Sequence, residues 1–520
     1  MIKDAELLAK EQREISVSEF FEKNRHLLGF DNPAKALLMA VKEFVDNSLD
    51  ACEEAGILPD IYVSIKKVGE DVFRVTVKDN GPGILKEQVP KVFGKLLYGS
   101  KFRGLGSTGK QSRGQQGIGA SACILYAQLT TGKPAKIESW VKGREHYKCS
   151  LLIDTITNEP IIEKEEVLEN GLDKHGVSVT LELKGMYRTV KGPEEYLKET
   201  AIANPHAQIT FVRPDGTRIT FKRGTDKLPV LPKEIKPHPY GIELGTLIKM
   251  LKATSSRTLL SFLTTSFSRL GTNVAKEISK ISKVPLSLHP YEVTRDQAEK
   301  LLKAMQSVKL QRPPTDCLSP IGEEEIIKGL QKEYKCDFVT AISRPATIYR
   351  AIPFQVEVGL AYTQDLKQDS QIKLIRYANK VPLFYQQGEC AIYKAIVDTD
   401  WRRYGLQHTK GNLPIGPVVL VVHLASVWVP FISEGKQAIA SYPEIIKEIK
   451  LAANEVGRRL KKYLSGIERK RYKEMRIKVF ERYSGEVARA LSILTEEDEK
   501  KTFDIIMRSI NMRRGDEHGK

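Results

Sequence analysis

The chain has 520 residues, 41% of them apolar, and a formal charge of +17, enough for about three or four folded domains. No basic-then-apolar leader opens it, and its longest apolar run, Val418 to Ile432, holds His423 and Pro430, is too short to span a bilayer and reads as a buried strand, so no membrane partner is expected. The six cysteines (Cys52, Cys123, Cys149, Cys317, Cys336, Cys390) are scattered without a CxxC pair, so neither zinc nor a disulfide framework is indicated and a cytoplasmic location is expected. The charge is uneven: residues 1–200 carry 29 Lys/Arg against 30 Asp/Glu, residues 201–520 carry 53 against 35. A neutral first part and a basic remainder predict that catalysis and polyanion contact lie in different domains.

Residues 1–25 form a polar amphipathic leader. Asn32-Pro33 then starts a long helix to Glu54, which Gly56 and Pro59 end. Ile61–Lys66 and Val72–Val77 alternate with period two around Gly69-Glu-Asp71, a hairpin signal, and Asp79 follows the second strand directly. Gly94 to Gly119 is rich in Gly, Ser, Lys and Gln and is expected to be a mobile loop leading into a helix that begins near Gly119. Strands are expected at Ala135–Trp140, Lys148–Asp154 and Val177–Leu183, giving a helix-and-sheet sandwich that ends near Arg223.

Four prolines (Pro229, Pro232, Pro237, Pro239) mark a linker. Beyond it the pattern is helical at Leu244–Leu251, Arg257–Ser268, Asn273–Ser282 and Thr294–Gln306, closed by Arg312-Pro-Pro314. From Asp337 strand and helix alternate again, with strands near Gln355–Tyr362, Ile372–Tyr377 and Val418–Val429 and helices at Glu389–Val397 and Pro443–Leu464. The final stretch is helical and charged: Arg458–Arg482 holds eleven Lys/Arg against three Glu.

Chemistry concentrates in four segments. In Glu43-Phe-Val-Asp-Asn-Ser-Leu-Asp50, the residues Glu43, Asn47 and Asp50 fall at i, i+4 and i+7 and share one helical face, opposite Leu38, Val41, Val45, Leu49 and Cys52. A carboxylate at 43 suits deprotonation of an attacking water, and a neutral oxygen at Asn47 suits a magnesium ion that also holds phosphates. In Asp79-Asn-Gly-Pro-Gly83 a carboxylate at a strand end can accept the exocyclic amine of adenine, and Gly81 and Gly83 let the backbone bend close to the base. The glycines of Gly114-Gln-Gln-Gly-Ile-Gly119 free backbone N–H groups to meet a triphosphate at a helix N-terminus. Singly, each motif has an ordinary reading as a turn or a solvated helix residue; their order and spacing together describe an ATP site. No GxxxxGK[ST] loop occurs.

These motifs resemble the GHKL ATPases, the group of gyrase, the ATP-driven heat-shock chaperone, histidine kinases and MutL. Phe93-Gly-Lys-Leu-Leu-Tyr-Gly-Ser-Lys101, Ser112-Arg-Gly-Gln-Gln-Gly-Ile-Gly119, Lys236-Pro-His-Pro-Tyr-Gly241, Arg376-Tyr-Ala-Asn-Lys380, Trp401-Arg-Arg-Tyr404 and Gly435-Lys436-Gln-Ala-Ile-Ala440 resemble, in order and over nearly the whole chain, the B subunit of the archaeal DNA topoisomerase VI (type IIB) family.

The resemblance implies an α+β multidomain chain. Its parts are an N-terminal strap (1–25), a GHKL (Bergerat) α/β sandwich ATPase domain (26–228), a helical helix-two-turn-helix domain (229–314), a βαβ transducer domain (315–465) and C-terminal helices (466–520) docking the A subunit. It makes Glu43 the general base, Asn47 the Mg2+ ligand, Asp79 the adenine reader and Lys436 the sensor of the γ-phosphate. Gly83, Tyr98, Gly99, Ser100, Lys101, Gly114, Gln115, Gln116, Gly117, Ile118 and Gly119 then line the ATP. Where the family often has Thr after a glycine, Gly176 is followed by Val177, so a side-chain contact to adenine is expected either to be lost or to move to Thr180. Gly104–Lys110 lengthens the lid, and Asp50 is expected to support the site from behind.

The resemblance further implies ATP-driven homodimerisation that traps a DNA duplex, with the strap crossing to the other protomer, and an A2B2 heterotetramer in which the A subunit supplies the cleaving tyrosine. The product is DNA relaxation and decatenation in an archaeal, nucleoid-associated setting. Lys249, Lys252, Arg257 and Arg269 are candidate phosphate contacts, and Trp401-Arg-Arg-Tyr404 suits DNA or a protein interface. A chaperone-type clamp is disfavoured by the basic helical insertion, a histidine kinase by the ATPase domain coming first, and a non-enzymatic DNA-binding module by an intact Glu43.

Overall fold

The computed structural model describes residues 15–25, 29–100, 109–114, 117–169, 174–350, 352–433 and 435–515. It separates into two compact units, one holding the chain up to Thr399 with His408–Val456, the other Asp400–Gln407 with the chain from Gly457 onward.

The first unit opens on a short helix, α1 (Val17–Lys23), capped by Ser16, whose hydroxyl also donates to the Thr155 carbonyl. Ser18 donates to Asn158 at 2.8 Å. The described end of the leader thus rests on its own chain; residues 1–14 of the expected strap lie outside the described residues. The long helix α2 (Pro33–Glu54) begins where Asn32 accepts the Lys35 amide at 2.9 Å and Pro33 presets the first turn. It ends at Gly56, whose φ of 70° takes the chain out of the helix.

Strands β1 (Asp60–Lys67) and β2 (Val72–Lys78) form the expected antiparallel hairpin. With β3 (Ala135–Trp140), β4 (His146–Ile153), β5 (Pro160–Leu168), β6 (Gly176–Lys184), β7 (Gln208–Val212) and β8 (Arg218–Phe221) they build an eight-stranded sheet ordered β5-β4-β3-β6-β2-β1-β7-β8. Only the β1–β7 pair is parallel. On one face lie α2, α3 (Val89–Gly94), α4 (Gly119–Thr131) and α5 (Pro193–Ala203). The core between the layers is set by alternation: Ile61, Val63 and Ile65 of β1 and Phe73, Val75 and Val77 of β2 point in. Each such apolar side chain stabilises by about 1.5–3 kcal/mol relative to exposure.

Four helices follow with a core of their own: α6 (Leu244–Ala253), α7 (Leu259–Ser266), α8 (Thr272–Ser282) and α9 (Arg295–Ser307). Helix α9 starts on a reciprocal cap between Thr294 and Gln297. Lys249, Lys252, Arg257 and Arg269 are all exposed, and Arg269 donates to the Arg312 carbonyl at 3.0 Å.

The chain then forms α10 (Glu323–Glu333) and a second sheet from β9 (Cys336–Ser343), β10 (Thr347–Tyr349), β11 (Ile352–Thr363), β12 (Lys373–Ala378), β13 (Val381–Pro382) and β14 (Val418–Ser426). Its order is β10-β11-β14-β12-β13, with β9 on β11. Strands β12 and β14 are parallel, as a βαβ crossover through α11 (Ala391–Val397) requires. Every residue of β14 is buried, as its continuous apolar run demands.

In the second unit Trp401 is fully buried, while Arg402 and Arg403 are exposed and pair with Asp400 at 3.0 and 3.3 Å. The Tyr404 ring lies where a β-carbon at Gly457 would go. The helix α12 (Pro443–Thr495) that enters this unit is a single run of 53 residues, past the Leu464 end expected for it, and α13 (Glu499–Gly515) follows. No described helix is long and apolar enough to cross a membrane.

Candidate active site

Helices α2 and α4 bound a cavity of about 310 Å³ above the ends of β2 and β6. Glu43, Asn47, Asp79, Gly83, Tyr98, Gly99, Ser100, Gly114, Gly117, Ile118, Gly119 and Lys436 all line it. Lys101, Gln115 and Gln116, with Gly104–Thr108 of the lid, lie outside the described residues.

At the floor, Asp79 is nearly buried. Its Oδ1 accepts the Gly81 and Val177 amides at 2.9 and 3.0 Å, and its Oδ2 accepts the Ser48 hydroxyl at 2.8 Å. Burial raises its pKa while these three donors work to hold it down. Carboxylate oxygens have room for further donors, so an amine entering the cavity finds a fixed acceptor. Gly83 has φ of 79°, and a β-carbon there would strike the Trp140 carbonyl, so only glycine brings the strand-end loop this close. Val177 and Val179 give this end an apolar wall. Thr180 does not contribute: it sits on the other face of β6, hydrogen-bonded to Thr76 at 2.9 Å, because side chains along a strand alternate.

At the other end α4 points its first turn into the cavity. No side chain among the described residues caps that turn, leaving backbone N–H groups and the positive end of the helix dipole for an anion. A β-carbon at Gly119 would overlap Glu43 Oε2, so any larger residue there would push that carboxylate aside. Asn47 is the exposed residue on the inner stretch of α2 and faces the same space. Among the described residues no group of three or more His, Cys, Asp or Glu could hold a metal alone. One neutral amide oxygen beside an anion site fits a magnesium ion held mainly by phosphates and water.

Glu43, Asn47 and Asp50 line this cavity together and the stripe Leu38, Val41, Val45, Leu49 and Cys52 is buried, as the spacing predicts, but the rest of α2 is not a solvated face. Lys42, Asp46, Asp50 and Glu53 are buried along with the apolar stripe, because other elements pack around the helix on nearly every side. Asp50 is turned into an ion pair with Arg113, Nη1 to Oδ1 at 2.6 Å. The same guanidinium binds Glu53 at 2.9 and 2.6 Å and Asn204 at 2.6 Å, while His206 lies 2.8 Å from Glu53.

Lys436 reaches this space from the loop after β14. A tight turn with φ of 51° and the Phe431–Ile439 bridge place it, and its Nζ donates to the carbonyl of Arg113, 323 residues earlier, at 3.2 Å. The lid's descending arm is tied to the same region. Gly109 pairs with Ile235, and the Gln111 side chain donates to the Ser319 carbonyl at 3.0 Å and accepts the Ser319 amide at 2.7 Å. Asn379 donates to the Ser112 carbonyl at 3.0 Å.

Residues 32–185 match the family described as histidine kinase-, DNA gyrase B-, and HSP90-like ATPase, and residues 313–476 match the topoisomerase VI B subunit transducer. A type 2 DNA topoisomerase 6 B subunit from Methanococcoides burtonii is 52% identical over 91% of this chain and 76% of its own length. The chain belongs to the type 2 DNA topoisomerase 6 B subunit family. Another member, from Thermococcus gammatolerans, is 39% identical and matches 98% of this chain and 97% of its own. Among solved structures, the 43K ATPase domain of Thermus thermophilus gyrase B in complex with an aminocoumarin aligns over 96% of each chain at 15% identity, with a TM-score of 0.40.

For this family member, sequence reasoning missed Arg113, Gln111 and Lys380, which join the ATPase helix to the second sheet. Lys380 is buried, which pulls its pKa down to about 8 even though Glu53 opposes the shift. The one signal was the position of Arg113 and Lys380 inside the quoted motifs, Ser112–Gly119 and Arg376–Lys380, with Gln111 next to the first.

Proposed function

We propose that the chain binds and hydrolyses ATP as the ATPase subunit of a type IIB DNA topoisomerase. In this reading Asp79 accepts the adenine amine, the first turn of α4 with Gly114, Gly117 and Gly119 holds the triphosphate, and Asn47 holds magnesium, which offsets phosphate charge when bound. Glu43 takes the proton from the attacking water. Lys436 meets the γ-phosphate through a charged hydrogen bond. Tyr98, Gly99 and Ser100 close the cavity from the lid side, with Lys101, Gln115 and Gln116 proposed to join them. ATP binding dimerises the ATPase domains around a DNA duplex. Hydrolysis moves the Lys436 loop and with it the second sheet, and the A subunit, in an A2B2 assembly, opens the duplex that is crossed. Relaxation and decatenation follow.

The observation that carries this reading is the convergence of Glu43 and Lys436, from opposite parts of the chain, on one cavity with an uncapped helix end. Its relatives are archaeal, and a nucleoid-associated archaeal setting is proposed with it. The test is relaxation of supercoiled plasmid by the chain together with the A subunit, with and without ATP. ATP-dependent relaxation is expected; turnover indifferent to DNA, with no relaxation, would sink the reading.

A further inference from the structure

Behind the cavity α2 carries a buried charge chain that the assignments above leave unused. Lys42 is 5% exposed, and its Nζ lies 3.1 Å from Glu43 Oε1 and 3.5 Å from Asp46 Oδ2. Asp46 Oδ1 in turn accepts a 2.6 Å hydrogen bond from the hydroxyl of Tyr196 on α5, a side chain with no exposure. Burial works against the ammonium, yet Glu43 and then Asp46 more than offset it and raise the Lys42 pKa, so it stays charged. The other Glu43 oxygen, Oε2, abuts Gly119 at the cavity wall. The carboxylate is therefore tied at Oε1 by the ammonium, while Oε2 stands beside the first turn of α4 at the cavity wall.

Packing alone does not call for this arrangement. An apolar side chain of the same volume at position 42 would stabilise the helix as well or better, because taking two charges out of water costs more than a good ion pair usually returns. What the pair fixes is direction. Lys42 cannot drift, since Asp46 anchors it and Tyr196 anchors Asp46.

We infer that Lys42 is a positioning residue for ATP hydrolysis, tying Glu43 Oε1 so that Oε2 is the atom that receives the proton of the attacking water. The inference rests on the assignment of Glu43 as the group that activates water. In that step the water oxygen bonds to the γ-phosphorus. The bond from that phosphorus to the β–γ bridging oxygen breaks, its electron pair leaving with ADP, and the water proton passes to Oε2. Tyr196 and Asp46 act through Lys42 and touch nothing that reacts.

The test measures steady-state ATP turnover, and binding of a non-hydrolysable ATP analogue, for the full chain with duplex DNA and the A subunit. Lys42→Met is expected to lower kcat by about 10–100-fold while KM and analogue binding stay within about threefold. Added to Glu43→Ala, it is expected to cost nothing further, because the carboxylate it positions is gone. Should Lys42→Met fail to fold, Lys42→Met/Asp46→Asn, which also removes the buried charge of Asp46, is judged by the same criteria. Parental kcat in the folded variant, a fall in analogue binding equal to the fall in kcat, or a full multiplicative loss in the Glu43→Ala background overturns the inference. Glu43→Ala that keeps turnover removes the base assignment as well. Glu43→Ala that is inactive beside a Lys42 variant of parental kcat overturns the positioning role alone.

Discussion

Arg113 offers the sharpest test of how the site is braced. Its guanidinium, 4% exposed at the side chain, holds Glu53 through two bonds, Asp50 through one and Asn204 through one. Burial alone pushes the Glu53 carboxyl up, but Arg113, His206 and Lys380 together bring it well below the usual carboxylate range. Arg113→Met leaves two carboxylates buried on α2 without their main cation. Breaking a buried pair from one side costs about 3–5 kcal/mol, a large part of the roughly 5–15 kcal/mol that holds a domain together. At about 2–4 °C per kcal/mol for a domain of this size, the melting temperature should fall by about 10 °C. A depressed carboxyl stabilises fully above its unfolded pKa of 4.5 and loses that contribution as pH falls below it. The gap between parent and variant should therefore narrow in acid. Calorimetric melts at neutral and acid pH measure both effects, and adding Glu53→Gln should return part of the loss, since the two residues share one interaction. An Arg113→Met protein melting within about 2 °C of the parent, or a Glu53→Gln change that adds its full cost on top, would refute the bracing argument.

Two further outcomes follow from single contacts. Gly119→Ala places a β-carbon on Glu43 Oε2, so kcat should fall at least about tenfold with little change in melting temperature; parental turnover would mean the carboxylate is not held against α4. Glu199 is pushed up to about 7 by burial, with Lys373 pulling it down less strongly. Its folded pKa thus lies above the unfolded value, and its stability contribution is fullest in acid and is lost as pH rises through 7. Glu199→Gln should therefore gain on the parent between about pH 5 and pH 8, by up to about 3 kcal/mol in urea unfolding, and parallel pH profiles would contradict this.

Much of the fold was legible because its signals are local. The Asn32-Pro33 start and Gly56 stop of α2, the β1–β2 hairpin, β3 and the α4 start at Gly119 all rest on caps, turns and period-two alternation. Strand β5 was not expected. Its Pro-Ile-Ile-Glu-Lys-Glu-Glu-Val-Leu segment is almost wholly exposed, charged as an edge strand must be to resist further pairing, and so lacks an apolar period. Helix α12 ran past Leu464 for a similar reason: a helix charged on all sides has no stripe by which its end can be read. In the site, Glu43, Asn47 and Asp79 were legible from motif spacing, and Lys436 from resemblance. Lys42, Asp46 and Arg113 were not, because a charged residue on a helix or in a loop reads as solvated until other elements pack over it. Burial by α5 and by the lid arm is a tertiary fact with no counterpart in the local pattern. Thr180 failed as an adenine contact for the opposite reason, since the strand period already places it opposite Val177 and Val179.

The central claim is that Glu43 acts on water within this cavity and does not hold the nucleotide. Substituting Glu43→Ala and measuring nucleotide binding, ATP-dependent dimerisation and turnover side by side tests it directly. The account predicts binding and dimerisation at parental strength, with turnover reduced by about 100-fold or more. Loss of binding together with turnover, or turnover that survives the substitution, would contradict it.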